Sequence, residues 1–414
     1  MTQSYITVDG SLADSILEYA SVLDLYNKDL NYTSKIESFI ITNDEQDDQD
    51  DEEEELQFND DIYKEIVESY QYLTNIPDRD LEGLINLAVY ILTFNNDFEK
   101  LVIDFFGSLF EKFELNNSDL KITKNKKATL KITSIISNLS NIFNLQINGD
   151  NFPFKNFILG EILKLIEILG NGEILLPIIS NLESWLTNDI NQQPSEIQEE
   201  TRSILLKISK LIKPYDELSS LNVFKISITK IPNVSSDLIN QFIIANLNSN
   251  KALDLSKILT EEVIIANHES SQNHLKFLQN YLNFTTQDFQ KSIDEYSSLS
   301  EIDFKLVLTK NQYLNLCKIA STTSTISYSQ ISSDLLIPEN QVEIFLINAI
   351  KTGIIQGKLS QINSNFQVYK VNLILKTIEL NDWLEIKSLL LDWRSKLSNV
   401  KSLIDQASKK KLVK

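Results

Sequence analysis

The sequence predicts a mainly α-helical chain, and three observations carry that expectation. Nine glycines and seven prolines in 414 residues are too few for the turns of a β-sandwich, a barrel or a doubly wound sheet. Apolar residues recur at helical spacing in one segment after another. The stretch from Trp383 to Ala407 then keeps a seven-residue apolar rhythm, the mark of a long helix with a buried stripe. Hydrophobic residues make up 42% of the chain, enough for sizeable cores and against global disorder. The length exceeds a typical single domain, so more than one folded unit is expected.

Residues 1–42 carry an amphipathic helix over Ser11–Leu25, with Leu12, Ile16, Leu17, Ala20 and Leu23 on one face. An acidic segment follows, assigned to 43–58. Asp44 to Glu55 reads DEQDDQDDEEEE, ten carboxylates in twelve residues, and holds half of the formal net charge of −20. Such a run repels itself and buries no apolar area, so a solvated, disordered loop is expected; bait for a basic partner, or an RNA mimic, is the functional alternative. The rest of the chain is still acidic, which argues against a broad basic footprint on nucleic acid.

Residues 59–300 read as a helical-repeat array. Ile62, Ile66, Val67, Tyr70 and Leu73 form one stripe, which ends at Ile76-Pro77 because proline disfavours helix before it. Asp80 opens the next helix, with Leu81, Leu84, Ile85, Ala88 and Leu92 inward. Phe98–Phe113, Ala128–Phe143, Phe154–Leu169, Ile174–Leu186, Glu196–Ile212 and Ser236–Asn246 continue the pattern. Short clusters such as Gly170-Asn171-Gly172 and Gln192-Gln193-Pro194 part them. Successive helices of this length suggest stacking. No fixed-period consensus recurs, so no named repeat is assigned.

The texture changes in residues 301–375. Phe304–Ser321 reads as a helix, Tyr328–Leu335 as a short second one behind the run STTSTIS, and Glu339–Thr352 as a third, opened by Pro338. Two alternating segments follow, Ile355–Ile362 and Phe366–Val371, joined by Asn363-Ser364-Asn365, and read as a β-hairpin. Three helices and a hairpin make a winged helix. A groove reader needs Arg or Lys toward phosphates and base edges. The third helix, ENQVEIFLINAIKT, has no arginine and more acid than base, so protein interaction is the expected use. A nucleic-acid-binding winged-helix regulator is the alternative of another class.

Residues 376–414 form the last helix and a basic tail. Trp383, Ile386, Leu390, Trp393, Leu397, Val400, Ile404 and Ala407 alternate steps of three and four, the a/d seam of a helix packed on partner helices. Leu384, Leu389, Leu391 and Leu403 widen it. Either the helix folds back on its own winged helix or another chain covers the seam.

Catalytic chemistry finds no foothold. The lone Cys317 lies in an apolar helical stretch and reads as a buried thiol. His268 and His274, six residues apart, are out of phase for one helical face. Neither a HExxH, nor a phosphate-binding glycine loop, nor a dinucleotide fingerprint occurs, so no catalytic residue, metal, cofactor or small-molecule substrate is expected. The amino terminus lacks the pattern of a secretory signal, and no apolar run approaches the ~20 residues of a membrane span. A cytoplasmic protein with no membrane association is expected.

The segment QVEIFLINAIKTGIIQGKLSQINSNFQVYKV, residues 341–371, resembles the winged-helix half of the PCI domain. Ala349, Ile350, Gly353, Ile355, Gly357, Leu359 and Ile362 fit its pattern. PCI domains form scaffolds of the proteasome lid, the COP9 signalosome and translation initiation factor 3. The spacing of Trp383, Ile386, Leu390, Trp393, Arg394, Leu397 and Val400 looks most like the initiation-factor members; a signalosome or lid subunit is the sibling alternative. The resemblance implies a non-catalytic scaffold whose partners are other PCI-type subunits of a large complex, with indirect contact to the small ribosomal subunit. It also implies a wing edge that pairs with a neighbour, assigned to Lys358, Leu359, Ile362, Phe366, Val368 and Val371, and a final helix entering a shared bundle. An unpaired strand edge and a helical seam are two tethered contacts, which raise avidity without stronger individual bonds.

Overall fold

The structure is a computed structural model, and it describes residues 11–27, 31–41, 57–113, 126–146, 151–261, 263–264, 272–296, 299, 301–372 and 380–411. The fold is mainly α-helical. Contacts divide the chain into two units, Met1–Asn233 and Val234–Lys414. The division falls inside the span that reads from sequence as one array.

In the first unit, α1 (Leu12–Tyr26) opens with a capping box. Ser11 Oγ accepts from the Asp14 N–H at 3.2 Å, and the Asp14 carboxylate accepts from the Ser11 N–H at 3.1 Å, so two orphan donors of the first turn are satisfied together. After α2 (Tyr32–Glu37) comes a two-residue ribbon that periodicity does not announce. β1 (Ile40–Ile41) pairs antiparallel with β2 (Gln57–Phe58). The Asn59 N–H extends it by donating to the Phe39 carbonyl at 3.0 Å. The acidic run Asp44–Glu55 falls between these strands and outside the described residues.

The helices α3 (Asp61–Glu68), α4 (Asp78–Leu92), α5 (Phe98–Lys112), α6 (Lys126–Gln146), α7 (Phe152–Leu169), α8 (Ile179–Leu186), α9 (Ser195–Ile212) and α10 (Glu217–Thr229) complete the unit. Pro77 stands at the N-cap of α4. α4 packs on α6, α6 on α7, α7 on α9 and α9 on α10, and one apolar core runs from Ile16 to Ile231. Pro177 splits the segment read as one helix over Ile174–Leu186 into a 3-10 stretch, Gly172–Ile178, and α8, because proline lacks an N–H for the α ladder. The turn before it needs its glycines. Gly170 has φ 65° at the end of α7, the left-handed region that costs other residues a Cβ clash. A Cβ on Gly172 would lie 2.3 Å from the Leu211 carbonyl oxygen.

Arg202 is buried within this unit, at 4% exposure. Its guanidinium donates to the carbonyls of Ser227, Ile231, Pro232 and Asn233 and pairs with Glu199, so α9 is tied to the chain leaving α10. Buried cations are tolerated where carbonyls and a carboxylate replace water.

The second unit begins with α11 (Ser236–Leu247), α12 (Gln272–Asn283), α13 (Thr286–Glu295) and α14 (Phe304–Thr322). Two lysines of α14 complement the carboxyl ends of earlier helices, where carbonyls carry partial negative charge. The buried Lys310 Nζ donates to Asn246 and Leu247 at 3.0 and 2.9 Å. Lys318 Nζ donates to Leu282 at 3.0 Å, and burial lowers its pKa.

Then come β3 (Thr325–Ser327), α15 (Tyr328–Leu335), a 3-10 turn over Glu339–Gln341, α16 (Val342–Lys351), β4 (Ile355–Ser360), β5 (Asn365–Val371) and α17 (Leu380–Lys411). The run STTSTIS thus ends in a strand, a difference from the sequence reading. Only Ile326 of its three residues points inward, which is too short an alternation to signal a strand. Ser327 also caps α15, its Oγ accepting from the Gln330 N–H at 3.3 Å. Leu316, Cys317, Ile326, Ile331, Leu346, Ile355 and Phe366 share one core.

Candidate interaction surfaces

Strands β3, β5 and β4 form an antiparallel sheet in that order, and this order corrects the wing edge. β5 is the central strand, with Phe366 opposite both Ile326 and Leu359. Phe366 is fully buried, and Val368 and Val371 pack against the same core. Phe366 and Val368 are bonded on both sides and are not outer-edge residues, whereas Val371 lies beyond the end of β3 and pairs with β4 alone. Among the described residues β3 and β4 each have a strand neighbour on one side only, and the six-residue β4 offers the longer open edge of N–H and C=O groups. Lys358 on β4 is exposed, Leu359 is half-buried and packs on the core, and Ile362 at the hairpin tip is 98% exposed. A bulge lies between Gln356 and Gly357, and a Cβ at Gly357 would sit 2.4 Å from the Gln367 carbonyl oxygen and 2.5 Å from the Phe366 ring. Glycine is required where the two strands approach this closely.

On α16, Val342, Phe345, Leu346 and Ala349 are buried. Its outer face is not a phosphate reader. Ile344 and Ile347 are exposed there, one turn apart. The Glu343 carboxylate accepts from Gln361 at 3.2 Å, joining the helix to the hairpin tip. Sequence reasoning passed over this isoleucine pair, and its signal was two apolar residues three apart on the face opposite the core stripe.

The last helix differs from every other. The side chains of Trp383, Ile386, Leu390, Trp393, Leu397, Val400 and Ile404 are all exposed, from 38% at Ile386 to 64% at Trp393. Leu384, Leu389, Leu391 and Leu403 are exposed as well. The winged helix of the same unit does not cover the stripe. Beside the stripe Lys396 pairs with Asp392 at 2.7 Å, one turn apart, a contact worth only a few tenths of a kcal/mol on an exposed helix. Monomeric soluble proteins rarely expose a contiguous apolar surface of this length.

Chemistry-bearing residues lie elsewhere. Cys317 is buried, and desolvation pushes its thiol up to about 11, so the reactive thiolate is suppressed. His274 lines a cavity of about 380 Å³ with Asp237, Asn240, Gln241 and Glu301. Burial holds its imidazole below the ordinary range, partly offset by Glu301. His268 falls outside the described residues. Among the described residues no group of three His, Cys, Asp or Glu is placed to hold a metal ion, and no helix is long and apolar enough to cross a membrane.

Comparison with known proteins matches these elements to a family. The PCI domain model matches residues 304–370, from the first residue of α14 into β5. Eukaryotic translation initiation factor 3 subunit M of Schizosaccharomyces pombe is 20% identical over 409 residues, spanning 97% of this chain and 92% of that protein. The protein of that name from Coccidioides immitis is 22% identical over 374 residues, 86% of this chain and 76% of its own length. The one from Phaeosphaeria nodorum is 25% identical over 292 residues, 67% of this chain and 64% of its length. The S. pombe alignment covers nearly the whole chain, well beyond the winged helix, so the chain carries a PCI domain and is similar over most of its length to eukaryotic translation initiation factor 3 subunit M.

Proposed function

We propose that this chain is a non-catalytic scaffold subunit of translation initiation factor 3 in the cytoplasm. It joins neighbouring PCI-type subunits through the outer edge of β4 and through the seam of α17, and meets the small ribosomal subunit indirectly. The observation that carries the reading is the uncovered seam. A helix of 32 residues spans about 48 Å, and its apolar residues gain nothing by standing in water. Burial of a large apolar side chain favours association by about 1.5–3 kcal/mol before ordering costs. The β4 edge adds main-chain hydrogen bonding of the kind that extends a sheet across subunits.

A tagged full-length chain, beside one ending at Asn381, tests this. Initiation-factor subunits are expected with the first and not with the second, while both unfold at the same temperature. Equal recovery by both would refute the seam as the assembly device. Recovery of proteasome-lid or signalosome subunits would keep the scaffold class and overturn the choice of complex. Recovery of nucleic acid alone would overturn the scaffold reading.

A further inference from the structure

We infer that the partner of α17 is a helix of another subunit whose apolar stripe is flanked by Asp and Glu, and that the flanking charges of α17 select it against self-pairing. The inference rests on the function proposed above and adds the chemistry of the partner. In the seam, Ile386, Trp393 and Val400 are d positions, and each is followed by a cation: Lys387, Arg394 and Lys401. All three are exposed and occupy three consecutive e positions. The opposite g row, Asp382, Leu389, Lys396 and Leu403, holds one acid and one base. The whole helix has seven basic and four acidic residues in a chain with 38 basic against 58 acidic.

Charges at e and g set partner choice in packed helices. An antiparallel second copy would lay the cationic e row against itself. A parallel copy would set Lys387 against Asp382, Arg394 against Leu389 and Lys401 against Lys396, one attraction cancelled by one repulsion. Neither arrangement of two identical helices satisfies the row. The row is also not a mere solvated rim, because Leu384 and Leu391 lie beyond it at b positions and are exposed. A partner that covers those leucines crosses the cations, and cations enclosed by an interface need carboxylates. The serines at f, Ser388, Ser395 and Ser402, mark the face left to water.

The test uses the full chain, tagged and expressed in a eukaryotic host, as wild type, as Trp393→Ala and as the combined Lys387→Glu, Arg394→Glu and Lys401→Glu variant. Melting temperatures confirm folding, since every altered side chain is exposed. Expected is a loss of initiation-factor subunits of at least about tenfold for the charge-reversed chain, as well as for Trp393→Ala. Zero-length carbodiimide coupling in the wild-type complex is expected to join Lys387 or Lys401 to Asp or Glu of another subunit. Charge-reversed chain that assembles like wild type while Trp393→Ala does not would overturn the inference and leave the proposed function standing. Coupling of either lysine to a second copy of the chain would also overturn it. Normal assembly by both variants would remove the proposed function itself.

Discussion

Helices α9 and α17 obey one rule of spacing and end in opposite surroundings. In α9, Thr201, Ile204, Leu205, Ile208 and Ile212 follow the three-and-four pattern and are buried against α7 and α10. In α17 the same pattern runs longer, from Trp383 to Ile404, and each described seam residue is exposed. Periodicity therefore reports that a stripe will be covered without saying by which chain. The discriminating feature is supply. α9 has helices of its own unit, α7 and α10, packed against it, whereas the described residues of the second unit leave the α17 stripe exposed.

Leucine truncations break this comparison most sharply. Leu205→Ala should destabilise the chain by about 2–5 kcal/mol, through lost burial and the cavity left behind. Leu397→Ala should stay within about 0.5 kcal/mol, as exposed substitutions do. Urea unfolding of each variant measures both, and a large loss for Leu397→Ala would mean that α17 is covered within its own chain. Next is Arg202→Ala, which strands the carbonyls of Ser227, Ile231, Pro232 and Asn233 and should cost about 3 kcal/mol; denaturant titration decides it. Gly357→Ala forces a methyl into the Phe366 ring and the Gln367 carbonyl and should cost about 1–3 kcal/mol, read as a lower melting temperature with the α17 seam unchanged.

The smallest effect concerns Cys317. Its thiol is raised from 9.0 to about 11, so the folded chain holds a proton that the unfolded chain releases first. This contribution is intact below pH 9 and is lost as pH rises from about 9 to about 11. Iodoacetamide at pH 8 should label Cys317 only after unfolding, by mass spectrometry, and rapid labelling of the folded chain would contradict its burial.

Much of the helical layout was legible because each amphipathic segment carries its own period and stop: Pro77 before α4, Gly170 after α7, Gly353 after α16. What escaped was structure without a period. β3 has one inward residue, and β1 and β2 have two residues each, so their existence depends on distant partners rather than on local pattern. The wing edge shows a subtler limit. Alternation marked Phe366, Val368 and Val371 as strand residues, but whether a strand is central or outer depends on what pairs beside it. The short β3, itself invisible in the pattern, made β5 central. The seam of α17 was readable residue by residue, while its exposure was not, since spacing is silent about supply. The isoleucines on the outer face of α16 were masked by the stronger inner stripe.

The ribbon of β1 and β2 has a consequence for how this chain can change. It holds Ile41 and Gln57 in adjacent strands, about 5 Å apart, with fifteen residues between them in sequence. Once the two ends are clasped, the helices on either side are indifferent to the length of what is threaded through the clasp. Each doubling of that length adds only about 0.6 kcal/mol of closure entropy. The acidic run therefore occupies a slot at which segments can be lengthened, shortened or exchanged at little cost to folding, and selection at that position can act on charge alone.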